Sequence, residues 1–484
     1  MLHPNRTKIV ATIGPASRSE ATLRELLRKG VDVFRLNAAH SDHKTLVKDI
    51  TTIRSIARAA HVGVGILVDL QGPKIRVGPF LDAEPIWLAR GMPLVISTEP
   101  GVIGAAAQDG ATTRIGCGYA GLCKDVKPRE RILLDDGNIE VVVTKVMGKE
   151  IHTKVLYGGL LKQHKGINVP GTDLASVQSV SAKDLADLYV ALDAGADFIA
   201  QSFVRTREDV AKLRRLIAEH GSDACTVAKV ERPEAVKNLD GIIEEADAVM
   251  VARGDMGVEL GPEAVPALQK RIIRRCLEAR KPVITATQML ESMITNPRPT
   301  RAEVSDVANA IYDGTSAVML SAETASGRHP IRAAKFMEQI VRRTEGEMFS
   351  HWDYVRRRRQ ARGPASVTIA TVQAAAYAAH ESEAKLIAVF TESGKTAQVL
   401  SAERTPTRVV AFTPFQRTVQ RLALTWGVVA LRSSRTRTSH EMTLEGERTI
   451  LDRGFAKKGD RAVFVFGATR MTGATNVMQL RTLE

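Results

Sequence analysis

Eight short apolar runs, each followed by a stretch with helical spacing, constrain this chain more than any other feature. They fall at residues 7–13, 32–36, 65–69, 198–202, 226–230, 248–252, 282–287 and 317–320. Between the first two, residues 20–29 read as a helix, with Ser19 as cap and Gly30 as stop. The next helix carries Leu46, Ile50, Ile53, Ala57 and Ala60 at intervals of three and four. Residues 181–194 read as another helix. Runs this short and apolar, alternating with helices, predict parallel strands covered on both faces, and eight is the number that closes a (β/α)8 barrel.

Polar residues stand where these runs finish. Arg35 and Asn37 end the second, Asp69 the third, Ser202 the fourth, Lys229 and Glu231 the fifth, Asp255 the sixth, Thr287 the seventh and Glu323 the eighth. Barrel active sites are assembled at the carboxyl ends of the strands, so this ring reads as one site. Ser202 and Glu323 read equally as groups that satisfy the core. Lys229 and Glu231 lie two apart and share one face of a strand, with Val230 turned away. Glu231 and Asp255, at neighbouring strand ends, suit Mg2+ or Mn2+ shared with ligand oxygens. Lys229 brings positive charge toward a group being transferred. A surface ion pair is the plainer reading of the trio taken alone.

The alternation is broken at about residues 78–171. There residues 139–146 and 151–157 alternate around Gly148 and Lys149 as a hairpin, and Asp135, Asp136 and Gly137 mark another turn. A small β-rich domain, inserted at the catalytic face, reads as a lid that would exclude water from the site, or as an insertion without a role of its own. From about Ala365 a third unit begins, an open α/β domain with runs at 385–391, 408–412, 428–431 and 462–466. Its turn Thr391, Glu392, Ser393, Gly394, Lys395 and Thr396, between strand and helix, offers N–H groups, hydroxyls and an ammonium to a phosphate, and reads equally as a plain turn. Arg356–Arg359 read as a solvated linker, or as a polyanion or subunit contact. The boundaries expected are 1–77 and 172–345 for the barrel, 78–171 for the insert and 346–484 for the C-terminal domain.

Composition narrows the partners. At 484 residues the chain exceeds one hydrophobic core. No apolar run spans a bilayer, and Met1–Pro4 lead into the first run without a signal peptide. Four cysteines, none closely paired as in zinc sites, fit reduced thiols in a cytoplasm. A net charge of +14 suits small polyanionic substrates; with 4% aromatics and no recognition motif, nucleic acid is not the expected partner.

Several long motifs resemble those of the pyruvate kinase family. They are TKIVATIGPAS from Thr7, RLN from Arg35, DLQGPKIR from Asp69, AKVE from Ala228, VARGDMGVE from Val251, TATQMLESM from Thr285 and MLSAETASG from Met319, followed by TESGKTA and GATN. The resemblance runs over nearly the whole chain. It implies a barrel with an inserted β lid and a C-terminal α/β domain, and transfer of the phosphoryl group of phosphoenolpyruvate to ADP, giving pyruvate and ATP, the last step of glycolysis. Residue by residue, it implies Glu231 and Asp255 as ligands of the divalent metal, Lys229 as the catalytic lysine and Arg35 as a phosphate contact. The backbone at Gly254 and the hydroxyl of Thr287 would meet substrate, with Thr287, and with it Ser321 and Glu323, near the point of enolate protonation. Arg76, Lys183 and His40 match nucleotide contacts.

Two departures from the family pattern carry expectations. Many members hold K+ with an asparagine, a serine, an aspartate and a threonine; this chain keeps Asn37 and Asp69 but has Ala39 and Leu70 for the hydroxyls, and Lys74 where a glutamate is common. The expectation is a tethered cation at Lys74 and no requirement for K+. In the TESGKTA turn, Glu392 would repel a doubly phosphorylated sugar, so a monophosphate effector or none is expected. The family is usually a homotetramer. Two other functions compete with this one: a metal-dependent carbon–carbon lyase on a related barrel, which needs neither lid nor Arg76 and Lys183, and a silent binding protein, which would have lost Lys229, Glu231 or Asp255.

Overall fold

The computed structural model describes residues 5–106, 112–172, 178–350, 366–435, 438–467 and 475–484. Met1–Pro4, Arg356–Arg359 and the Gly473 and Ala474 of GATN lie outside the described residues. Eight parallel strands close a barrel: β1 (Lys8–Ile13), β2 (Val33–Asn37), β3 (Gly65–Asp69), β4 (Phe198–Gln201), β5 (Cys225–Val230), β6 (Ala248–Ala252), β7 (Val283–Ala286) and β8 (Ala317–Leu320). β8 pairs with β1 through Lys8↔Ala317 and shuts the ring. Each run read as a strand is one, with ends moved by a residue or so.

The period of two decides what faces inward. Val10, Val33, Leu67, Val227, Met250, Ile284 and Met319 pack together inside the ring. Two residues further along β2, β3 and β5 the same inner face presents Arg35, Asp69 and Lys229. The outer faces, such as Val249 and Val251 on β6, pack on the surrounding helices. The cap expected at Ser19 is present, accepting from the Thr22 N–H, and the structure adds a capping box of Ser181 and Asp184 at the start of Ala182–Asp193. Gly30, with φ of 91°, turns the chain out of the first helix where a side chain would be strained.

After β3 the chain enters a second sheet with a core of its own. Its strands run Ile167–Asn168, Arg131–Leu134, Ile139–Met147, Glu150–Tyr157, Pro93–Ser97 and Thr113–Gly116 in spatial order, beside a ribbon of Ile86–Leu88 and Gly159–Leu161. The hairpin around Gly148 is present, and Asp135, Asp136 and Gly137 all take positive φ.

The C-terminal sheet orders Val428–Arg432, Arg408–Thr413, Leu386–Phe390, Arg461–Gly467 and Thr475–Thr482. The last strand, antiparallel to its neighbour, has no counterpart in the sequence reading. Its sequence TNVMQLRT lies at a sheet edge with most side chains exposed, so it lacks the apolar run that marks the others. Ala423 and Leu424 reach from this unit into the lower end of the barrel and pack with Val10, Leu67 and Ile284. Alongside, Arg404 stacks 4.4 Å over Trp426 and donates to the Gly314 carbonyl at 2.7 Å.

Candidate active site

The three groups singled out on β5 and after β6 converge at the carboxyl end of the barrel. Lys229 Nζ lies 2.9 Å from Glu231 Oε1 and 3.4 Å from Asp69 Oδ1, and donates to Ser202 Oγ at 2.7 Å. Burial works against its charge, but Asp69, Glu231 and Asp255 outweigh that and raise its pKa, so the ammonium stays charged. Asp255 is not at a strand end as expected. β6 stops at Ala252 and a helix, Arg253–Leu260, begins at once, which places Asp255 in its first turn. The Gly254–Asp255 turn winds directly into helix because no loop residues separate it from β6.

Glu231 is fully buried, and burial pushes its carboxyl up to about 7, with Lys229 opposing and the Asp255 charge adding to the rise. Oε2 accepts from the Phe203 N–H at 2.6 Å, and Oε1 faces the Lys229 ammonium at 2.9 Å. Two carboxylates whose charges act on each other at the mouth of the barrel make a donor set that fits a hard divalent cation. Among the described residues no group of three or more His, Cys, Asp and Glu forms a closed metal cage. Any ion here therefore shares its remaining positions with water or ligand.

Arg35 is held on β2 by Asp69, through Nη2 to Oδ2 at 2.7 Å, and donates to Thr12 Oγ1 at 2.9 Å. Burial acts to raise the Asp69 pKa, but Lys229 and Arg35 overcome it and lower it on balance. His40 has its pKa lowered by burial and then by Arg76, Arg35, Lys74 and Lys183, which marks a convergence of cations on that side of the site. Lys183 reaches the Ala38 carbonyl at 3.1 Å and Asp187 Oδ2 at 2.6 Å, while His43 holds the other oxygen of the buried Asp187 at 2.9 Å. Arg76 leans on the lid through the His164 carbonyl at 3.0 Å.

Lys74 differs from expectation in its partners. Its ammonium is 3.4 Å from Asp136 on the lid and 3.9 Å from Asp255, and among the described residues no ion pair or hydrogen bond joins it to Asp69 or Asn37. The Asp69 charge is met instead by Arg35 and Lys229, and Asn37 Oδ1 caps the short turn at Ala38–His40 by accepting from the Ala39 N–H. Leu70 is buried in the main core.

Thr287 lies just beyond β7 with φ of 66°, followed by Gln288 at 53°. For a β-branched residue this is an outlier, and such strain costs about 1–3 kcal/mol per residue. Its Oγ1 accepts from the Gly254 N–H at 2.8 Å and donates to the Ala286 carbonyl at 2.6 Å. Glu323 takes backbone N–H groups of Leu290 and Ser321 and so braces the loops, while Ser321 Oγ is buried without a hydrogen bond. Sequence reasoning missed Arg253, which is 8% exposed and binds this loop from below. An arginine directly after a fully apolar strand was the available signal, since such a charge needs buried partners.

In the turn at 391–396, Gly394 has φ of 85° and caps the helix Lys395–Ala402. The Gly394 and Lys395 N–H groups already bond Thr391 Oγ1 and Ser393 Oγ, at 3.0 and 3.4 Å. The turn borders a cavity of about 1260 Å³ that extends to the underside of the barrel.

Comparison with known proteins agrees with the three-part fold. Residues 4–334 match the family model for the pyruvate kinase barrel domain, and residues 369–480 that for the pyruvate kinase alpha/beta domain. The chain is 42% identical to a pyruvate kinase of Geobacillus stearothermophilus, over 99% of this chain and 80% of the relative. It is 40% identical to that of Corynebacterium glutamicum, over 99% and 98%. The crystal structure of a pyruvate kinase from Cryptosporidium parvum superposes with a TM-score of 0.92 at 34% identity, covering 99% of this chain and 97% of that one. With barrel, lid sheet and α/β unit all accounted for, the chain belongs to the pyruvate kinase family.

Proposed function

We propose that the chain transfers the phosphoryl group of phosphoenolpyruvate to ADP, with the convergence of Lys229, Glu231 and Asp255 at the barrel mouth as the observation that carries the reading. When bound, a divalent ion, Mg2+ or Mn2+, held by Glu231 and Asp255 would draw negative charge from phosphate and carboxylate oxygens of the substrate. Lys229 neutralises the phosphoryl group as it leaves and the charge left on the enolate oxygen. Arg35 offers its fork to the phosphate. The Gly254 N–H binds substrate in place of the Thr287 hydroxyl it now holds, which frees that hydroxyl to deliver a proton, directly or through water, to the enolate carbon. Arg76, Lys183 and His40 hold the nucleotide phosphates, and closure of the lid excludes water. The pyruvate kinases reported above give no support to a lyase.

The test is ATP formation from phosphoenolpyruvate and ADP with Mg2+, followed by coupled reduction of pyruvate. Run in K+ and in tetramethylammonium salts at equal ionic strength, it also tests Lys74. Replacing two hydroxyl ligands by Ala39 and Leu70, with an ammonium on Asp255, supports independence from K+. The expected ratio of rates is near unity; K+ activation of about tenfold or more, or 1.4 kcal/mol of barrier, would refute it. A second expectation concerns Asp187, whose carboxylate grips Lys183. Asp187→Asn should raise KM for ADP by about tenfold, the worth of one charge-assisted contact, while KM for phosphoenolpyruvate moves little. Initial rates at varied ADP decide this.

The turn at Thr391, Ser393, Gly394, Lys395 and Thr396 is proposed to take a monophosphate sugar or nucleotide, or nothing, because Glu392 opposes a second phosphate. A homotetramer in the cytoplasm is the setting proposed. Among the described residues no helix is long and apolar enough to cross a membrane.

A further inference from the structure

We infer that Arg253, braced by Asp306, is a positioning residue for enolate protonation: it holds the Thr287–Gln288 backbone in the left-handed conformation that aims the Thr287 hydroxyl. The inference rests on the role given above to Thr287. One guanidinium gathers three successive carbonyls, Ala286 at 3.3 Å, Thr287 at 2.7 Å and Gln288 at 3.1 Å. A chain in ordinary strand conformation turns successive carbonyls to opposite sides, whereas the consecutive positive φ values at Thr287 and Gln288 bend the backbone so that these three converge on the guanidinium. The third nitrogen is fixed by Asp306 on the helix Arg301–Tyr312, at 2.8 and 2.7 Å to its two oxygens. The next residue, Gly254, holds the Thr287 hydroxyl through its N–H. When substrate takes the Gly254 N–H, the grip of Arg253 on the Thr287 carbonyl remains and keeps the residue in place. A lysine cannot reproduce the planar fork that meets three carbonyls at once.

In the step concerned, a lone pair of the enolate oxygen closes the C=O bond of pyruvate while the C=C π pair takes the proton at the methylene carbon; the O–H bond that breaks belongs to the Thr287 hydroxyl or to a water it orients, and that oxygen regains its proton from solvent water. Its reverse is read as exchange of the pyruvate methyl hydrogens with D2O by NMR, with Mg2+ and ATP present. Arg253→Lys in the full chain should slow this exchange by about 100-fold, the scale of a misplaced acid–base group, while KM for phosphoenolpyruvate and ADP stays near the parent value. Exchange should fall more than ATP formation, because enolpyruvate released from the site ketonises in solution. Adding Gln288→Gly to Arg253→Lys should restore part of the exchange, since glycine takes positive φ without strain. Asp306→Asn, at a half-exposed carboxylate, should show the same bias more weakly and serves if Arg253→Lys does not fold. A ratio of exchange to ATP formation that stays at the parent value, in whichever variant folds, would overturn the inference and leave Arg253 a staple. Absence of both reactions in the parent enzyme would instead sink the proposed function.

Discussion

Lys229→Met should lower turnover by about 1000-fold or more, the loss expected if the role proposed for its preorganised charge, facing the transferred group, holds. Methionine nearly matches the lysine stem in length, so the change deletes charge rather than volume. The ammonium is the point where Asp69, Glu231 and Ser202 meet, and its pKa is raised by the carboxylates around it. Its removal leaves buried carboxylates with one cation fewer, and breaking such a pair costs about 3–5 kcal/mol of stability. Arg35 still pairs with Asp69 and limits this part of the loss. The decisive measurement is kcat for a variant whose thermal midpoint shows that it is folded at the assay temperature. Near-parental turnover in that variant would end the role assigned to Lys229, whatever the effect on stability.

The second large effect is on metal use. Glu231→Gln should weaken divalent-ion binding by about 100-fold or more while leaving the fold intact, because it removes one of the two carboxylates proposed to hold the ion. Binding of Mn2+, followed by EPR, reads this without reference to turnover. Glutamine keeps an oxygen to accept the Phe203 N–H, which Glu231 takes at 2.6 Å. It also removes a carboxylate that burial already pushes toward neutrality. A variant that binds Mn2+ as tightly as the parent would show that the ion sits elsewhere. If instead Mn2+ binding is lost and turnover recovers at high metal, the carboxylate acts mainly as a ligand.

The barrel was legible because parallel strands buried on both faces appear in sequence as short apolar runs, and closure follows from their number. Lys229 and Glu231 were legible from spacing alone, since a period of two carries them inward above Val227. Asp255 illustrates the weaker side of such reading: its proximity was foreseen, its helical turn was not. Arg76, Lys183 and His40, the proposed nucleotide contacts, came only with the family motifs, because residues drawn from separate elements leave no local pattern. Arg253 escaped altogether. Its meaning depends on the sign of φ at Thr287 and on Asp306, 53 residues away, and neither is written in a hydrophobic period. Lys74 was foreseen as a cation in the site, but not its choice of Asp136 and Asp255, since that depends on where the lid turn comes to rest.

The lower end of the barrel is stoppered by Ala423 and Leu424, residues of a sequence module that family models treat as separate. A fragment ending with the barrel would be uncorked, with water meeting Val10, Leu67 and Ile284 from beneath. The two modules match separate family models yet share one hydrophobic cluster, and on β2, β3 and β5 that cluster lies directly beneath Arg35, Asp69 and Lys229.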